Sequence, residues 1–296
     1  MERPGKLNAS FRDPSGFLFR RAGVLYRQVN LKYQPDYDLL MQSGLYQKLV
    51  KAGLLVKHEE VELPAEQSDL AYRVLQPEVV SFISYPYEWS FSQLKDAALA
   101  TLAINRLALE AGMILKDASA YNIQFHCGKP VLIDTLSFEQ YQEGRPWVAY
   151  RQFCQHFLAP LALMAFTDVR LNQLLRIYID GVPLDLASKL LPGKTRWNFG
   201  LASHIHLHAS AQKRYADQAV DRAAAEKKMS KLSLLGLLDN LEGTVRACKW
   251  TPEGTEWADY YDATNYTREA FELKKSLVAA FIERIQPAMA WDLGAN

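Results

Sequence analysis

Leu115-Lys116-Asp117-Ala118-Ser119-Ala120-Tyr121-Asn122 is the stretch that decides the fold, read together with Asp134 a short way downstream. Phosphoryl transfer needs a carboxylate to orient or deprotonate an attacking hydroxyl, and oxygen ligands to hold magnesium against nucleotide phosphates. Asp117 fits the first role. Asn122, five positions later at the other end of the loop, and Asp134, just past the next apolar run, fit the second. A role confined to the loop is also open: Asp117 and Asn122 hydrogen-bond a tight turn, and Asp134 caps whatever follows its strand.

Outward from the loop, Ile123 to Phe125 and Val131 to Ile133 flank His126-Cys127-Gly128-Lys129-Pro130, which predicts a tight β-hairpin. Upstream, Ser92 to Ala111 places Leu94, Ala98, Leu102, Leu107 and Ala111 on one helical face, with Gly112 as the stop. Gly16 to Val29 reads as a first hairpin turning at Arg21-Ala22-Gly23, Asp36 to Ala52 as one helix closed by Gly53, and a strand pair is expected to end in Val79, Val80, Phe82 and Ile83. Downstream, Val148 to Val245 is predicted helical, including Phe153 to Phe166, Leu171 to Ile179, Ala209 to Lys228 and Leu232 to Ala247.

The order of elements and the Asp117, Asn122 and Asp134 spacing resemble the kinase-like fold, including the aminoglycoside-phosphotransferase type. The resemblance implies an α+β, two-lobed domain over 1–250, with a small β-rich N-lobe at about 15–88 and a helical lobe at about 89–250. It implies Asp117 as the catalytic residue and Asn122 and Asp134 as magnesium ligands, with Mg-ATP as cofactor. Leu115 and Lys116 stand where His and Arg usually precede the catalytic Asp, and Thr135 and Leu136 replace the usual Phe and Gly. By location, Arg27 and Lys32 are candidates for the phosphate-pairing cation.

Thr251-Pro252-Glu253-Gly254-Thr255 is the clearest linker. Beyond it come the aromatics Trp257, Tyr260, Tyr261 and Tyr266, a predicted helix from about Arg268 to Ile285, the breaker Pro287, and Ala288-Met289-Ala290-Trp291-Asp292-Leu293-Gly294-Ala295-Asn296. A helix, a short strand and Asp-Leu-Gly form the entry to an α/β cofactor unit, in which turn glycines let backbone approach the ligand closely. With the kinase-like front half, this ending resembles class I S-adenosylmethionine-dependent methyltransferases related to the rhizobial nodulation protein NoeA. The resemblance implies S-adenosylmethionine as cofactor, held by Asp292, Gly294 and Asn296, in a Rossmann-like domain starting near residue 256. On this reading 256–296 is only its first helix and strand, the chain is a truncated form, and it is not expected to transfer methyl groups alone.

Composition narrows the partners. Among 296 residues, 34 Lys plus Arg meet 33 Asp plus Glu, so the net charge of +1 gives no basic excess of the kind that neutralises nucleic-acid phosphates. No apolar run approaches membrane-spanning length, and three scattered cysteines suit a reducing cytoplasm. His204 and His208 share a helix face but lack a third ligand and a glutamate, so ordinary histidines are expected there. Three functions stand: a methyltransferase-family protein acting on a small-molecule or glycan-type acceptor, a non-catalytic kinase-like scaffold that presents that acceptor, and an Mg-ATP-dependent phosphotransferase.

Overall fold

The computed structural model describes residues 5–6, 13–208, 229–251 and 266–291. The chain divides into two units, Met1–Trp250 and Thr251–Asn296.

The first unit is mixed α+β. Its sheet is antiparallel and five-stranded, in the order β1-β2-β3-β5-β4: β1 (Gly5–Lys6), β2 (Gly16–Arg21), β3 (Val24–Asn30), β4 (His58–Glu60) and β5 (Ala71–Pro77). The predicted first hairpin is present, with Gly16 opposite Val29 and a turn made by Ala22 (φ 50°) and Gly23 (φ 81°). Alternation along the strands covers both faces. Phe17, Phe19 and Val74 pack together, while Val29 and Leu75 form a separate cluster with Tyr33, Tyr37 and Leu136. Leu136 lies two residues past Asp134, so this packing fixes the segment that carries the carboxylate.

Two expectations are corrected here. The helix predicted over Asp36 to Ala52 is two helices, α1 (Gln34–Gln42) and α2 (Leu45–Lys51), because Gly44 adopts φ 76° and breaks the turn between them. The strand expected through Ile83 ends at Pro77, and Val79, Phe82 and Ile83 are exposed. Pro77 still pairs with His58, and the Glu78 N–H donates to the Lys57 carbonyl at 2.8 Å, but beyond that the partner chain turns to Leu132, whose carbonyl accepts from the Val56 N–H at 2.9 Å. The apolar run has no strand left to pair with and is a surface segment.

The long helix α3 (Phe91–Glu110) begins at Ser90, whose hydroxyl accepts from the Gln93 N–H while the Gln93 side chain accepts from the Ser90 N–H, a reciprocal cap. Leu94, Ala98 and Leu102 are fully buried, as the periodicity predicts, and Leu107 and Ala111 are partly buried against the same core. Short strands follow: β6 (Met113–Leu115), β7 (Ile123–His126), β8 (Lys129–Leu132) and β9 (Phe138–Gln140), with β6 paired to β9 and β7 to β8. The second hairpin is thus present, turning at Cys127 (φ 50°) and Gly128 (φ 75°).

The remainder of the unit is helical. Tyr150–Phe153, a π turn at Cys154–Leu158 and Ala159–Phe166 run continuously, with Phe153, Cys154, Phe157 and Leu161 in the main core alongside Leu238 and Leu241 of helix Lys231–Ala247. Each fully buried Leu or Phe contributes roughly 1.5–3 kcal/mol relative to exposure. The expected Ala209 to Lys228 helix lies outside the described residues.

In the second unit, helix Arg268–Ile285 starts at Thr267, whose hydroxyl accepts from the Ala270 N–H. Residues 288–291 join no ladder. The aromatics Trp257, Tyr260 and Tyr261 and the cofactor candidates Asp292, Gly294 and Asn296 lie outside the described residues.

Candidate functional site

Backbone pairing assembles the candidate loop before any side chain is considered. Leu115 pairs with Phe138 across β6 and β9, and the Lys116 N–H donates to the Ser137 carbonyl at 2.9 Å. At the other end, the Ile133 N–H donates to the Asn122 carbonyl at 2.9 Å. The segment 116–122 is therefore stitched on both sides to the segment 133–138, and Asp117, Asn122 and Asp134 are brought to one locality.

Buried polar groups hold the entry to the loop. Asn105 of α3 accepts from the Leu115 N–H through Oδ1 at 2.9 Å, Trp147 Nε1 donates to the Leu115 carbonyl at 2.7 Å, and the Tyr33 hydroxyl donates to the Phe138 carbonyl at 2.7 Å. Each satisfies a backbone group that burial would otherwise leave costly.

Asp117 sits half-buried at the head of the loop. Its Oδ1 accepts from the Ser119 N–H at 2.9 Å and from Gln152 Nε2 at 2.8 Å, while Gln152 Oε1 accepts from the Ala118 N–H at 2.7 Å. Gln152 therefore clamps the loop from the helical side. Among the described residues nothing donates to Asp117 Oδ2. Asn122 has the complementary condition: its Nδ2 is buried and without an acceptor.

Asp134 is in the opposite state. Its Oδ1 takes Arg27 Nη1 at 2.6 Å and the Leu136 N–H at 3.1 Å, and its Oδ2 takes the Ser137 hydroxyl at 2.8 Å. Burial pushes this carboxyl up, but the Arg27 guanidinium, the Ser137 hydroxyl and the Leu136 N–H outweigh it and hold the pKa below the usual carboxylate value. Lys116 adds to the same field and is itself engaged: its Nζ donates to Ser15 Oγ at 3.2 Å and lies 4.6 Å from the Tyr33 ring centroid. Both cations tie the sheet to the loop segments. Of the two candidates for the phosphate-pairing cation, Arg27 reaches the locality by gripping Asp134; among the described residues Lys32 makes no bond there.

Sequence reasoning missed Gln152, Asn105 and Trp147. Gln152 and Trp147 lie 34 and 32 residues from their backbone partners in the loop and Asn105 lies 10, and an isolated Gln, Asn or Trp carries no signal of a backbone partner. His204 and His208 are also more than ordinary helix-end histidines: His204 is buried and both bond the Tyr150 hydroxyl, at 2.7 and 3.1 Å. Among the described residues no cluster of three metal-ligating side chains is present, and no helix is long and apolar enough to cross a membrane.

No family model matches the chain. Its similarity is to the nodulation protein NoeA of Rhizobium meliloti (strain 1021). The two are 32% identical over 299 residues, a match that takes in 99% of this chain and 62% of NoeA. The chain thus spans less than two thirds of NoeA's length, while both of its units fall within the compared stretch. Among solved structures, vaccinia related kinase 3 is 13% identical with a TM-score of 0.40, covering 80% of this chain and 85% of that one.

Proposed function

We propose that the Met1–Trp250 unit is a kinase-like module that works without nucleotide and holds a hydroxyl-bearing methyl acceptor at Asp117. On this reading it serves S-adenosylmethionine-dependent methyl transfer by a domain starting near residue 256, in which Asp292, Gly294 and Asn296 shape the cofactor turn. The NoeA similarity and the Asp-Leu-Gly ending support the methyltransferase half. The kinase-like half is supported by a small antiparallel sheet, a long helix, the Asp117 to Asn122 loop, a hairpin and Asp134 in that order, followed by helices.

One observation carries the nucleotide-free reading: of the two carboxylates, the one expected to grip magnesium is already filled. A divalent cation needs free oxygen ligands, and Asp134 takes three protein donors, one of them a guanidinium. The unpartnered buried atoms nearby, Arg27 Nε and Asn122 Nδ2, are N–H donors, which a cation cannot use. As arranged, Asp134 does not fit Mg-ATP. Asp117 Oδ2 is a free acceptor, placed to receive a hydroxyl proton. The module's contribution is positioning, which is the main demand of methyl transfer between an acceptor and a sulfonium carbon.

Thermal shift with ATP and magnesium is the direct test, and the expected result is no change in Tm. A rise in Tm that Asp134→Ala abolishes would sink this reading and put Mg-ATP binding, as the phosphotransferase requires, in its place. For the methyl half, the full gene product is incubated with methyl-labelled S-adenosylmethionine and a cell extract. Label incorporation that Asp292→Ala and Asp117→Asn both reduce is expected; incorporation indifferent to Asp117→Asn would remove the module from acceptor binding.

A further inference from the structure

Beside the loop lies an aromatic surface that the function above does not use. Tyr85 and Tyr87 stack with ring centroids 5.5 Å apart and an interplanar angle of 6°. Tyr121, the residue before Asn122, stands 6.4 Å from Tyr85, and the Arg176 guanidinium lies 5.9 Å from the Tyr87 centroid. Phe82 and Tyr85 are 74% and 45% exposed, in the segment that leaves the sheet after Pro77.

This shelf is built rather than accidental. Gln124 of β7 bonds both backbone groups of Ser84, accepting from its N–H and donating to its carbonyl at 3.0 Å each, and Trp89 Nε1 donates to Ser84 Oγ at 2.9 Å. From the helical side, Asn172 Nδ2 and Gln173 Nε2 both donate to the Tyr87 carbonyl, at 3.1 and 2.8 Å. The Tyr121 hydroxyl donates to the Leu175 carbonyl at 3.0 Å. Side chains from three separate stretches thus fix the backbone beneath the rings, in a region with no ladder to do so.

Flat ring faces offer apolar area with a negative quadrupole, which attracts polarised C–H groups, and phenol hydroxyls at the rim donate and accept. Among the described residues the Tyr85 and Tyr87 hydroxyls have no partner. A hydrocarbon ligand would leave those hydroxyls and Asp117 Oδ2 unused, and an anionic group at the end that reaches Asp117 would be repelled by its carboxylate, the Arg176 guanidinium lying on the Tyr87 ring instead. A ring with C–H groups on its face and hydroxyls on its edge satisfies all of them.

We propose that the exposed rings of Phe82 and Tyr85, with Tyr87 and Tyr121 behind them, form a saccharide-binding shelf leading to Asp117, so that the ligand is a neutral oligosaccharide. The sugar face stacks on the exposed rings, and one hydroxyl at the end of the bound stretch donates to Asp117 Oδ2. This rests on the acceptor-holding reading above and deepens it by naming the class of acceptor.

The test is a screen of the full chain against a panel of neutral and acidic oligosaccharides, followed by calorimetry with the best-bound tetrasaccharide. Binding to a neutral member is expected, with at least a tenfold loss for Tyr85→Ala and Phe82→Ala and a smaller loss for Tyr85→Phe, each variant keeping the wild-type Tm. Binding by no saccharide, or only by acidic ones, overturns the proposal. Saccharide binding that falls with Asp117→Asn and ignores both alanine variants overturns the shelf and leaves the acceptor reading intact. Saccharide binding together with an Asp134-dependent response to Mg-ATP keeps the shelf and removes the nucleotide-free reading.

Discussion

Arg27 Nη1 lies 2.6 Å from Asp134 Oδ1, with both side chains largely withdrawn from solvent, so a strand of the sheet neutralises the carboxylate of the loop region directly. Removing one partner strands the other charge in a poorly solvated place, which typically costs about 3–5 kcal/mol. Arg27→Met and Asp134→Asn are each expected to lower stability by that order in urea unfolding. The double variant is expected to recover much of the loss. Single variants as stable as the wild type would mean that the pair does not hold the sheet to the loop.

A second consequence concerns Gly16, at the start of β2. A Cβ there would collide with the Gln28 carbonyl and come within 2.8 Å of Leu136 Cδ1. The neighbour that must yield is backbone on one side and the residue anchoring Asp134 on the other. Gly16→Ala is expected to lower stability by about 1–3 kcal/mol, as overpacking does. Leu136→Ala in the same chain relieves one clash and leaves the other, so partial rescue at best is the outcome to look for by thermal melting.

Much of this architecture was legible because it depends on local chemistry. Ala22-Gly23 and Cys127-Gly128 announce their hairpins, the spacing of Leu94, Ala98 and Leu102 with Gly112 as the stop announces α3, and Asp117, Asn122 and Asp134 announce the loop. The differences came where something else overrode a pattern: Gly44 breaks a helix that the leucine spacing runs through, and a strand stops just past Pro77 because its partner chain turns to Leu132, although apolar residues continue. The state of the site was not legible. Whether Asp134 is free or filled depends on the register that carries Arg27 across the sheet, which is a long-range property. The same holds for the clamp of Gln152 on Asp117 and of Gln124 on Ser84, where an uncharged amide meets distant backbone.

Acid is expected to unfold the protein in a particular window. Burial, with Arg27 adding, pushes His58 down to about 4, and burial pushes His156 down to about 4 against the opposing pull of Asp180. Burial also lowers His204, His206 and His208. Unfolded histidines titrate near ~6.5, so between there and the folded values the unfolded chain binds more protons. The stability from these groups is therefore complete above ~6.5 and lost as pH falls towards 4, at up to about 3 kcal/mol for each of the two most shifted. Denaturant melts at pH 7.5, 6, 5 and 4.5 check this; a flat profile would show that these histidines are hydrated in solution.

Tyr150 concentrates that acid sensitivity at one hydroxyl. Asn240 Oδ1 accepts from His204 Nε2 at 2.6 Å, which fixes the proton on Nε2 and leaves Nδ1 to accept from the Tyr150 hydroxyl at 2.7 Å. The Tyr150 oxygen in turn accepts from His208 Nε2 at 3.1 Å. A second proton on His204 would face the Tyr150 hydroxyl donor to donor in this arrangement, and burial disfavours the charged ring as well. Tyr150→Phe leaves His204 Nδ1 without its donor and is expected to cost about 1–3 kcal/mol at pH 7.5. It also removes the donor clash on protonation, so the stability gap between wild type and variant should narrow as pH falls to 5. A gap constant over that range would place the His204 proton elsewhere than on Nε2.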